Sequence, residues 1–308
     1  MAVPKVSFEF FPPSNEAAVL QLWEAVQHLA PLQPRFVSVT YGADGSTQAR
    51  THECVVKILR ETNLCVAPHL TCVGASRREV LGIATGYWRH GVRHLVALRG
   101  DIPETQAGVN GQNESHSGDF LYASDLVAGL KAAGDFEVSV AAYPEGHPES
   151  GSVEADVENL WRKIDAGAQR AITQFFFDTG AFLRYRDRCA TRGIGVKIVP
   201  GILPIVRFLQ LLRFAQRCGT LVPDWLHQSF AGFEDDAESQ AMVAERVAID
   251  QVQQLRREGV DEFHFYTLNR APLTYAVCQV LGLGPAVMSN CALNNDGLIP
   301  VYIASQNL

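Results

Sequence analysis

Residues 65–98 read CVAPHLTCVGASRREVLGIATGYWRHGVRHLVAL, and their order of signals decides the fold. A short run of strand length, 65–71, comes first. Ser76 and Glu79 then stand at the spacing of a capping box. Val80, Ile83, Ala84 and Tyr87 follow at helical spacing, and Gly91 suits the stop of that helix. A second short run, 94–98, closes the stretch. Strand, helix and strand in this order read as a parallel βα unit.

The unit recurs along the chain. Short β-branched and aromatic runs lie at 6–11, 36–41, 65–71, 94–98, 137–143, 171–177, 195–199 and 262–268. After the first, Ser14 is placed to cap a helix carrying Val19, Leu22, Trp23 and Val26 on one face. After the fifth, Val153, Val157, Leu160 and Ile164 form another apolar stripe. Eight strand–helix units in 308 residues predict an α/β fold, a single (β/α)8 TIM barrel with an extra C-terminal tail, rather than an open doubly wound sheet. The expected division is a barrel catalytic domain over 1–287 and a tail over 288–308.

Composition agrees with a globular enzyme. Apolar residues make up 47% and charged residues 19%, enough for a core and too apolar for a disordered chain. The net charge of −7 argues against general nucleic-acid binding. No apolar run reaches bilayer-spanning length, and the first residues lack a signal-peptide apolar segment. The cysteines number seven, with no CxxC pair, which argues for buried thiols in a reducing cytoplasm and against a disulfide frame or zinc ribbon. No GxGxxG, Walker A, HExxH or GxSxG motif occurs.

Active sites of this fold sit at the C-terminal strand ends. There the first run places Glu9 among aromatics, either as a carboxyl with a raised pKa suited to general acid work or as the partner of a barrel Lys or Arg. His69 in the third run is either a core group or a site group. Gly100 and Asp101 end the fourth, before a polar loop from 104 to about 119. Asp156, Asn159, Arg162 and Lys163 share the polar side of a helix, which is a phosphate-and-ribose grip or a solvated face. Gln174 can pair with a planar heterocycle, and Arg270 with a carboxylate. These groups suit a large, flat, partly anionic ligand in a cofactor-dependent barrel enzyme.

Taken together, FEFFPP at 8–13, VTYGA at 39–43, PHLTC at 68–72, LRGD at 98–101, AYPE at 142–145, AITQFFFD at 171–178, VPGILP at 199–204 and FHFYTLNR at 263–270 resemble methylenetetrahydrofolate reductase of the short bacterial type. The resemblance touches every strand end, in order, and leaves out 104–118 and 288–308. It implies a flavoprotein barrel with non-covalent FAD and NADH or NADPH as co-substrate. It implies reduction of 5,10-methylenetetrahydrofolate to 5-methyltetrahydrofolate by hydride from flavin N5, in ping-pong order, with reversal in the cell left open. It also implies a cytoplasmic homo-oligomer in one-carbon metabolism and methionine biosynthesis. Glu9 matches the general acid, and Asp101 the carboxylate beside flavin and pterin. Gln174, Gln210, Phe214, Tyr266 and Arg270 match substrate-contacting positions. Thr40, Tyr41, Ala43, His69, Arg99, Gly100, Asp101, Tyr122, Ala123, Tyr143, His147, Asp156, Asn159, Arg162 and Lys163 match FAD-contacting positions. Two other readings are a folate-linked methyltransferase barrel, which bound flavin would disfavour, and a non-catalytic folate- or flavin-binding barrel.

Overall fold

The computed structural model describes residues 3–41, 48–100 and 120–284. The strands are β1 (Lys5–Phe10), β2 (Phe36–Val39), β3 (Val66–Thr71), β4 (His94–Leu98), β5 (Glu137–Ala142), β6 (Arg170–Phe175), β7 (Lys197–Ile202) and β8 (Glu262–Tyr266). Each pairs in parallel with the next, and β8 closes onto β1, giving the expected closed barrel. The helices are α1 (Glu16–Leu29), α2 (Gln48–Glu61), α3 (Arg77–Arg89), α4 (Ala123–Ala133), α5 (Val153–Asp165), α6 (Thr179–Thr191), α7 (Phe208–Cys218), α8 (Asp224–Phe230), α9 (Ala237–Arg257) and α10 (Pro272–Val280). Three helices follow β7, so the chain departs from a strict alternation there.

The capping box of α3 forms as the spacing requires. Ser76 N donates to Glu79 Oε2 at 2.8 Å, and Glu79 N donates to Ser76 Oγ at 3.3 Å. Val80, Ala84 and Tyr87 are buried beneath it, with Ile83 packed against the same core. In α1 the cap is Asn15 rather than Ser14, its side chain accepting from Ala18 N at 2.9 Å. The buried face of α1 is Leu22, Ala25, Val26 and Leu29, and Val19 stays exposed.

β7 continues past Pro200 and Gly201, residues that read as a strand end because one lacks an N–H and the other a side chain. The barrel needs the missing side chain of Gly201 here. A Cβ on Gly201 would stand 2.2 Å from the carbonyl oxygen of Thr173 and 2.6 Å from the Tyr266 ring. The β6–β7 register also shifts between Ile172 and Phe175, a bulge that breaks the alternation of side chains.

Most apolar burial lies between the outer strand faces and the helices. Inside the barrel a small apolar layer of Phe36, Ala67, Val96 and Ile172 is packed. At the N-terminal strand ends lies a charged layer. Arg170, 4% exposed, donates to Glu262 at 3.0 Å and to Glu137 at 2.6 Å, and Arg35 reaches Glu137 at 3.2 Å. His94 donates to or accepts from Ser139 at 2.8 Å, and burial foremost pushes its pKa down to about 3. Among the described residues no helix is long and apolar enough to cross a membrane.

Candidate active site

Two adjoining cavities open at the C-terminal strand ends. The larger, about 430 Å³, lies between the ends of β3 to β5 and helices α4 and α5. Its lining includes Tyr41, Arg99, Gly100, Tyr122, Ala123, Tyr143, His147, Asp156, Asn159, Arg162 and Lys163. The polar side of α5 therefore lines this cleft, with Asp156 buried and Arg162 exposed. The smaller, about 220 Å³, sits over the barrel interior. It gathers Glu9, His69, Gln174, Phe214 and Tyr266. Leu98, Ala141 and Tyr143 line both, so the cavities share one wall.

Arg99, Arg162 and Lys163 line the larger cleft together with Glu149 and Asp156. Lys163 Nζ donates to the carbonyl of Ala141 at 3.0 Å, and burial pushes its pKa down to about 8 despite nearby Asp156. Asp156 Oδ2 accepts from His147 N at 2.8 Å and so fixes the loop after β5. Arg162 donates to Asn159 at 3.3 Å. Arg99 pairs with Glu149. Gly100 holds φ at +87°, and a Cβ there would lie 3.0 Å from that of Thr71, so a side chain would crowd the floor.

The smaller cavity has aromatic walls and a polar base. Phe175 and Phe214 stack at 5.3 Å with planes 7° apart. The bulge in β6 brings Gln174 and Phe175 into the lining together, and Gln174 Oε1 accepts from Phe175 N at 3.0 Å. Tyr266 is held by donating to Thr173 O at 2.7 Å.

Glu9 takes neither arrangement read from the sequence. Its partners are histidines. Nε2 of His69 lies 3.2 Å from Glu9 Oε2, and Nε2 of His264 lies 3.5 Å from the same oxygen. Burial alone would raise the carboxyl, but the two imidazoles outweigh it and hold the pKa at about 2, well below 4.5. A lowered carboxyl contributes stability above pH 4.5 that is lost as pH falls through about 2. Urea midpoints of wild type and Glu9→Gln are thus expected to converge as pH drops across that window. Parallel curves would contradict the pairing.

Thr40, Gln210 and Arg270 lie outside both linings; Gln210 and Arg270 are exposed. His69, expected with the flavin set, lines the smaller cavity beside Glu9. Ala43 and Asp101 lie outside the described residues, as do the loop 104–118 and the tail 288–308. Sequence reading missed His264 and Ser7. The two-residue alternation of β1 and β8 puts Ser7 with Glu9 and His264 with Tyr266 on inward faces, and that signal was available. Glu149, in an irregular loop, carried no such signal.

A family profile described as methylenetetrahydrofolate reductase matches residues 2–282. The 5,10-methylenetetrahydrofolate reductase of Pectobacterium carotovorum is 52% identical, covering 92% of this chain and 91% of its own. That of Escherichia coli K12 is 51% identical, covering 92% of each. A solved Clostridium thermocellum protein, titled as uncharacterised and binding two copies of 5-methyl-5,6,7,8-tetrahydrofolic acid, shares the fold. Its TM-score is 0.61 at 14% identity, with 90% of this chain and 93% of that one covered. With a family profile spanning the barrel and relatives at half identity over nearly full length, the chain belongs to the methylenetetrahydrofolate reductase family of oxidoreductases.

Proposed function

We propose that this reductase works with non-covalent FAD in the larger cleft and takes its electrons from NADH or NADPH. The observation that carries the reading is the joined pair of cavities, one charged and one aromatic, sharing Leu98, Ala141 and Tyr143. The fit to FAD rests on the donor set. Arg162, Lys163 and Arg99 suit a pyrophosphate, Asp156 and Asn159 suit ribose hydroxyls, and bare Gly100 admits a flat ring close to the backbone. FAD held there supplies two-electron chemistry between the nicotinamide and the folate. Asp101 belongs beside the flavin in this reading.

The smaller cavity is the folate end. Phe214 and Phe175 offer a stacking platform, and Gln174 presents an amide that pairs with a planar heterocycle. Glu9 is assigned the proton that opens the imidazolidine ring of 5,10-methylenetetrahydrofolate, and it must first take up that proton against the pull of His69 and His264. Exposed Gln210 and Arg270 would meet the glutamate tail. The catalytic unit in this reading is the barrel domain of 1–287. The free thiols of the described cysteines fit a reducing cytoplasm, and assembly as a homo-oligomer is testable by light scattering.

The test is the anaerobic visible spectrum of the purified protein. A flavin spectrum bleached by NADH or NADPH and restored by 5,10-methylenetetrahydrofolate is expected. A colourless protein that takes up no added FAD would overturn the reading and favour the methyltransferase barrel. Replacing Arg162 and Lys163 together by Ala should weaken FAD retention by at least about tenfold, since two cation contacts are lost. Unchanged affinity in a flavin-release titration would put the pyrophosphate elsewhere.

A further inference from the structure

The C-terminal end of α7 is fastened to the loop after β5 by residues that line neither cavity. Glu145 Oε2 accepts from Leu221 N, just past the helix, at 2.9 Å. Gly219 closes the helix with φ at +68°, and a Cβ there would stand 2.6 Å from the Pro148 ring, so helix end and loop interlock. Thr220, itself buried, donates from Oγ1 to the carbonyl of Phe175 at 3.1 Å. Phe175 is the ring on which Phe214 of α7 stacks. The loop is in turn held from the larger cleft, where Asp156 Oδ2 accepts from His147 N and Glu149 pairs with Arg99. One short bridge thus joins the wall of the larger cleft to the stacking platform of the smaller. Its carboxyl is half-buried. Glu145 Oε1 is enclosed and has no partner among the described residues. Burial pushes the pKa up, and Asp178 adds to this against the bond from Leu221.

We propose that Glu145 and Thr220 are positioning residues: they latch the end of α7 to the loop after β5 and to β6, and so hold Phe214 in register with Phe175 for the molecule that stacks there. The proposal rests on the smaller cavity being the folate end. Leu211 and Ala215 are the buried residues of α7, so burial anchors the helix along a narrow seam. At its N-terminal end Phe208 N donates to Gln240 Oε1 at 3.1 Å, which ties it to α9, a helix that lines neither cavity. The tie at the other end is the one that refers Phe214 to the wall of the larger cleft. Phe214 stands about one turn from that end, close enough for a loosened latch to tilt its ring. Among the described residues Glu145 bonds neither Glu9 nor the cations of the larger cleft. The latch therefore governs how tightly a flat ligand is held, and leaves the proton on Glu9 and the grip on the flavin to other groups.

Reoxidation of reduced, FAD-loaded enzyme by 5,10-methylenetetrahydrofolate, followed by stopped-flow absorbance, tests the latch. Glu145→Ala should raise the half-saturating folate concentration by about tenfold, with the limiting rate and FAD retention within about twofold of wild type. Glu145→Gln keeps an acceptor for Leu221 N and should restore half-saturation to within about twofold of wild type. Phe214→Ala alone should raise half-saturation by about tenfold or more. Adding Glu145→Ala to it should then cost less than about twofold, because no platform is left to position. Unchanged half-saturation in Glu145→Ala would overturn the proposal. So would a lower limiting rate or lost flavin in its place, a Glu145→Gln enzyme as impaired as Glu145→Ala, or effects of Glu145→Ala and Phe214→Ala that simply multiply. If Glu145→Ala does not fold, Thr220→Val, which removes the bond to Phe175 and keeps the shape, carries the same expectations alone and with Phe214→Ala, and the same failures overturn the latch. Unchanged half-saturation in Phe214→Ala would instead remove the smaller cavity as the folate end, whatever Glu145 does.

Discussion

Glu9→Gln is expected to lose folate reduction by roughly 10²- to 10⁴-fold, the span of a missing general acid, while its flavin is still reduced by NADH or NADPH. Gln has nearly the same volume as Glu and can still bond the His69 and His264 nitrogens that hold Glu9 Oε2. It cannot deliver a proton. The two half-reactions, followed separately by stopped-flow absorbance, should therefore part company. Folate turnover within a few-fold of wild type would show that the acid lies elsewhere. No turnover in the wild type, with ligands bound normally, would favour the non-catalytic barrel.

The largest stability effect is expected at the opposite end of the barrel. Arg170→Ala should cost about 3–5 kcal/mol, because it strips a buried carboxylate of its closest cation. Glu262 is 3% exposed and has Arg170 at 3.0 Å, with Arg35 the next cation at 3.9 Å. Glu137 has Arg35 as well as Arg170, so it suffers less. Urea unfolding of the single variant and of Arg170→Met with Glu262→Met separates the two contributions. The double variant should recover most of the loss, since replacing a whole buried pair with apolar groups is often neutral. A single variant as stable as wild type would mean that water already reaches this layer.

The barrel was legible because its signals are local. Capping residues, helical stripes and short strand runs lie within a few positions of each other, and seven of the eight strand runs largely coincide with the observed strands. The remaining one, 195–199, was cut short before Pro200 and Gly201, where the fit of Gly201 against Thr173 and Tyr266 overrides local propensity. The site was legible only in part. Arg162 and Lys163 have the same helical spacing whether they line a cleft or face water, so periodicity could not decide between them. The histidines on Glu9 come from strands far away in sequence; Ser7 and His264 are 257 residues apart. The β6 bulge, which brings Phe175 beside Gln174, has no mark in the residues that form it.

The charged layer and the Phe36 layer above it have a further consequence. Together they close the barrel at its N-terminal end among the described residues, so the space over Glu9 is floored by packed side chains and opens toward the C-terminal strand ends. Among the described residues a molecule reaches Glu9 from that side, where Phe214 and Tyr266 line the cavity. Two ligands that both need the space of about 220 Å³ over Glu9 must therefore use it in turn.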